Sequence, residues 1–153
     1  MFSKLYKIVV FTGSVYFLAA GVAAQHTPPV FKTEELEEAR IFPFNYDRID
    51  VRYDLFLNLA DPAVVKKYMP VFVQYRLSFN GETWEAVLRQ ALERIDADVA
   101  QQVQMMPEDE GVYVGTGGKA LQQRFLREIL PVLSNTALLE KHLQRLDRSR
   151  LAE

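Results

Sequence analysis

The 153-residue chain contains no cysteine. That excludes a disulfide framework and lipid attachment at a cysteine. Histidine occurs twice, as His26 and His142. A zinc centre wants several His or Cys ligands. A Ser-His-Asp arrangement would need one of these two as its base, and neither lies near a nucleophile motif. Both read as polar surface histidines. An excess of positive charge is also missing. Lys and Arg total 18 against 20 Asp and Glu, a formal charge of -2. No basic surface able to neutralise several phosphates is evident, so nucleic acid is not an expected partner.

Only one long apolar run is present, Ile8 to Ala24, interrupted by Thr12, Gly13 and Ser14. Lys4 and Lys7 precede it, with no acid among Met1 to Lys7. A basic start, an apolar middle and the small-residue end Val22-Ala23-Ala24 form the secretory pattern. Cleavage after Ala24 would leave Gln25 as the first mature residue. An uncleaved anchor is the competing reading, since the run sits at the short edge of the ~17–25 residues a spanning helix needs. Both place the remainder on the periplasmic side of a bacterial inner membrane, because the cations stay inside. Residues 1–24 are thus expected to be signal peptide or anchor, 25–45 a linker with the short acidic helix TEELEEAR, 46–147 one domain, and 148–153 a frayed polar tail.

Two segments alternate. In IDVRYDLFLNL, Ile49, Val51, Tyr53, Leu55, Leu57 and Leu59 share one parity, with Phe56 the exception on the other. In PVFVQYRLSFN, Val71, Val73, Tyr75, Leu77 and Phe79 share one. Alternation puts one face on a core and the other in water, so both are expected to be strands, paired antiparallel. Asp61-Pro62 starts a turn or a single helical turn around Val64 to Tyr68. From Trp84 through Val87, Leu88, Ala91, Leu92, Ile95, Val99, Val103 and Met106, apolar residues recur every three or four. This predicts one long helix, ended by Pro107 and lying across the sheet face of Val71, Val73, Tyr75 and Leu77. GVYVGTGG reads as a short strand, Val112 to Val114, and a Gly-rich turn. KALQQRFLREIL is helical until Pro131 stops or kinks it. Thr136 is expected to cap a last helix carrying Leu138, Leu139, Leu143 and Leu146. The fold class is α+β, a small antiparallel sheet packed against two or three amphipathic helices. The expected core is Val51, Tyr53, Leu55, Leu57, Val71, Val73, Tyr75, Leu77, Val87, Leu88, Leu92, Ile95, Phe125 and Ile129.

Motifs with chemistry fall short. A phosphate loop ending at Gly118-Lys119 needs Gly at Tyr113 and Ser or Thr at Ala120. The run Pro107 to Glu110 lacks the alternating acids of a calcium loop. Asp50 and Asp54 read as solubilising residues on an exposed strand face, with Asp47 nearby. Trp84, on the helical stripe, reads as core rather than as a sugar or partner anchor. No catalytic, cofactor-binding or metal-binding residue is assigned, and a non-enzyme is expected.

The order of elements carries one resemblance. A basic-flanked apolar leader and a linker precede FLNLAD, then VFVQYRLSF, then amphipathic helices with GGKALQQRFLREIL. Across roughly residues 46–133 this resembles the FliL family of flagellar basal-body-associated inner-membrane proteins. The resemblance implies a non-enzymatic role beside the flagellar stator, with strands at both FLNLAD and VFVQYRLSF. The family's C-terminal strand has no counterpart in HLQRLDRSRL. The alternative is an exported adaptor or chaperone-like module that binds another envelope protein, unrelated to flagella. A homo-oligomer is compatible with either.

Overall fold

In the computed structural model, residues 41–46 and 54–151 are described. The leader, the TEELEEAR helix, Val51 and Tyr53 lie outside them. Among the described residues no helix is long and apolar enough to cross a membrane.

Four short strands build one sheet: β1 (Phe44–Tyr46), β2 (Leu55–Asn58), β3 (Gln104–Glu108) and β4 (Gly111–Gly115). Their order is β1-β2-β4-β3, antiparallel throughout. Leu55 and Leu57 on β2 register with Val114 and Val112 on β4, and all four are fully buried. Period-2 geometry sends these residues to one face and Phe56 and Tyr113 to the other. The core therefore lies on the Leu55 face, completed by Phe44 and Met105. Phe44 and Ile41, assigned above to the linker, are buried parts of this domain.

Five helices are described: α1 (Pro62–Gln74), α2 (Gly81–Ile95), α3 (Ala97–Gln102), α4 (Lys119–Ser134) and α5 (Thr136–Gln144). The α+β class follows, with more helices than the two or three expected. The largest correction is at PVFVQYRLSFN, which is no strand. It is the second half of α1, then a turn. Asp61 caps α1, its carboxylate accepting from the Ala63 N–H at 2.7 Å, and Pro62 stands in the first turn, where its missing N–H costs nothing. Val64, Tyr68, Val71 and Phe72 then fall at helical spacing and are buried. Val73, placed in the core by alternation, is 64% exposed. Tyr75 is half-buried, and Leu77 is buried after the helix has ended. Val73→Asp should change stability by no more than about 0.5 kcal/mol, as for surface substitutions generally. Urea denaturation checks this; a loss of several kcal/mol would restore the strand.

The long stripe from Trp84 to Met106 is likewise divided. α2 ends at Ile95, which is 41% exposed rather than core. Asp96 interrupts the helix, and its carboxylate accepts from the Val99 N–H to start α3. Arg124 on α4 clasps Asp96 and Asp98, both at 2.9 Å. The Val99 amide and then Arg124 hold the Asp96 carboxyl below its usual range. Met106 and Pro107 fall not at a helix end but inside β3. Glu108 and Gly111 close a hairpin around Asp109-Glu110. Hydrogen-bonded and non-hydrogen-bonded pairs alternate from that closing pair, so the Pro107 nitrogen faces the open edge, where a ladder donor is not needed.

α2 packs against β3 and β4 and meets the 71–77 segment through the Phe72 ring of α1, not across a strand face of Val71, Val73, Tyr75 and Leu77. Trp84, fully buried as its stripe position implied, stacks on Phe72 at 4.6 Å and meets Tyr68 edge-on at 5.2 Å. The Tyr68 hydroxyl donates to the Leu133 carbonyl, tying α1 to the end of α4, and burial pushes its phenol up. Phe125 and Ile129 on α4 are fully buried, Phe125 edge-on to Phe44. Pro131 neither stops nor ends α4, which runs on to Ser134 with Pro131 exposed. Asn135, not Thr136, caps α5. The tail is partly held rather than frayed. Arg148 to Arg150 form a 3-10 turn in which Arg148 donates to the Tyr75 carbonyl and Arg150 pairs with Glu93.

Candidate interaction surface

The sheet has one face without a helix among the described elements. Its central row follows from strand register: Asn45 on β1, Phe56 on β2, Tyr113 on β4 and Met106 on β3. Phe56 and Tyr113 contact ring to ring at 4.5 Å. Both are half-buried, Asn45 is exposed, and Met106 is 53% exposed. The Phe56 ring also lies over Gly111. A Cβ there would stand 2.5 Å from two ring atoms and 2.4 Å from the Leu57 carbonyl, so only glycine admits this cover.

The row is bounded by acids. Glu108, Asp109 and Glu110 form the hairpin end, and all three are exposed. At the other end a cavity of about 270 Å³ is lined by Asp54, Gln102, Gln104, Met106, Gly115, Thr116 and Gly117. The four strands contain no Lys or Arg. The surface is thus an apolar band between anionic ends.

The residues weighed from sequence for chemistry do not converge. The Gly-rich turn is the three-residue link between β4 and α4, and Gly118 caps α4 without a side-chain bond. Asp54 precedes β2 and is the one carboxylate lining its cavity. Asp47, Asp50 and His26 lie outside the described residues. No group of three or more His, Cys, Asp or Glu able to hold a metal occurs among the described residues. Phe56, Tyr113 and Met106 were not assembled from sequence. Phe56 was noted only as an exception to alternation, and that exception was the available signal.

His142 corrects a second expectation. It is half-buried on α5, and its Nδ1 is enclosed without a hydrogen-bond partner among the described residues. Burial, then Arg94 and Arg145, lower its pKa below the usual 6.5. The unfolded chain therefore takes up this proton more readily than the folded one. Stability is expected to be full above about pH 6.5 and to decline as pH falls below it. Thermal melts of the parent and His142→Phe between pH 7.5 and 5 check this; the variant should lose less over that interval. Equal losses in both would contradict the assignment.

Comparison with protein-family models, with curated proteins and with solved structures finds no match.

Proposed function

We propose that this chain is an exported, non-enzymatic envelope protein that works by contact on the periplasmic side of the inner membrane. The observation that carries the reading is the Phe56–Tyr113–Met106 band on the sheet face that no described helix covers. Soluble domains seldom present aligned aromatic and methionine side chains without a partner. The basic-flanked apolar leader supplies the route. In its specific form, from the FliL resemblance, the partner belongs to the flagellar stator or basal body. Deleting the gene and scoring swimming on soft agar tests that form. A smaller swimming radius, restored by complementation, is the expected result. Unaltered motility overturns it.

One feature favours the second reading, an adaptor unrelated to flagella. The word VFVQYRLSF, a strand in the FliL pattern, lies in α1 and the following turn. For that reading, pull-down should return one envelope protein from a strain whose motility does not depend on this gene.

A further inference from the structure

We infer that the open sheet face receives a cationic amphipathic helix of a partner envelope protein, its apolar stripe on Phe56, Tyr113 and Met106. This rests on the contact reading above and names the kind of occupant.

Three features select a helix with Lys and Arg at its margins. The first is the shape of the surface. A sheet face buries its apolar side against a helix or another sheet. The row Asn45–Phe56–Tyr113–Met106 crosses all four strands, as a helix lying across a sheet requires.

The second is the edge. Two described edges could take an added strand, β1 and β3. On β3, the edge that carries Met106, Pro107 turns its donor-less nitrogen outward, and Pro on an edge strand blocks further pairing. Beside Met106 the occupant therefore binds across the face and not along the border.

The third is charge. Glu108, Asp109 and Glu110 flank one end and Asp54 the other, with no cation in the strands between. Complementary charge sets partner choice and rate more than raw affinity. An anionic lipid surface would be repelled by the same acids. A second copy of this chain would bring its own acids to the same place.

The test uses the full chain in living cells, with Met106 replaced by the photoreactive p-benzoylphenylalanine. Met106 is exposed, so the change is compatible with folding. A control places the same group at the exposed Lys141 on α5. After irradiation, the adducts are mapped by peptide mass. The expected Met106 adduct lies on an envelope protein, within a segment apolar at i, i+3, i+4 and i+7 and flanked by Lys or Arg. The triple variant Glu108→Lys, Asp109→Lys, Glu110→Lys should lower that adduct about fivefold or more, since three rim charges are reversed together. An unchanged yield in the triple variant overturns the charge argument and the proposal with it. An adduct to lipid, to a second copy or to an acidic segment overturns it too, as does no adduct at Met106. If Lys141 alone captures an envelope protein, the helix proposal falls and the contact reading stands. If neither position captures one, both fall.

Discussion

Leu57→Asp is expected to abolish cooperative folding of the domain. Leu57 is fully buried on β2, in register with Phe44 on β1 and Val112 on β4. A carboxylate there has no cation beside it in any strand. Burying it unpaired, or protonating it to avoid that, costs several kcal/mol, and the lost Leu packing adds about 2–5 kcal/mol. A domain of this size has only about 5–15 kcal/mol in total. Near-UV circular dichroism reports the outcome directly, because the single Trp84 is packed against three aromatic rings and loses its fixed environment on unfolding. Asn58→Asp, on the same strand but half-buried on the opposite face, is the matched control and should melt close to the parent. A parent-like melt of Leu57→Asp would mean the two faces of β2 are interchanged.

The second large effect is expected from Gly81→Ala, a change of one methyl at the start of α2. A Cβ on Gly81 would stand 2.2 Å from the Glu108 carbonyl oxygen, 2.3 Å from the Gly111 oxygen and 2.9 Å from the Glu108 nitrogen. All three atoms are backbone at the closing pair of the β3–β4 hairpin. No side-chain rotation relieves them, so the helix or the hairpin must move. Overpacking of side chains usually costs about 1–3 kcal/mol. This contact should lie at or above the top of that range, although Ala is the better helix former by about 1 kcal/mol. Chemical denaturation of the two chains measures the difference. A Gly81→Ala chain as stable as the parent would show that α2 does not abut the hairpin.

How much of this was legible in the sequence depended on whether one period fitted a segment or two. Leu55 and Leu57 alternate with no competing helical register, and β2 was readable. Residues 119–130 repeat only at three and four, and α4 was readable. Val71, Val73, Tyr75 and Leu77 also alternate, but Val64, Tyr68, Val71 and Phe72 satisfy a helix over the same stretch. The capping carboxylate of Asp61 with Pro62 decided between them, and Val73 was simply an exposed valine. The stripe through Val99, Val103 and Met106 ran past a helix break because Asp96 both ends one helix and caps the next. The hairpin was hidden because Asp109-Glu110 lacks the Asn-Gly or Asp-Gly chemistry that marks two-residue turns. β1 spans three residues, too few for any period to register. The open face was not legible because its members come from four separated segments, and only strand register brings them together.

The strand order has a consequence for how this chain acquires its shape. β4, which sits between β2 and β3, is the last of the four described strands to be made. A polypeptide emerging N-terminus first, from a ribosome or through a narrow channel, delivers β1 and β2 long before β4, the inner neighbour of β2. Until residues 111–115 of 153 have emerged, β2 lacks its second partner and the sheet cannot close. The described sheet is therefore completed late in chain emergence, because its β2–β4 pairing joins strands more than fifty residues apart.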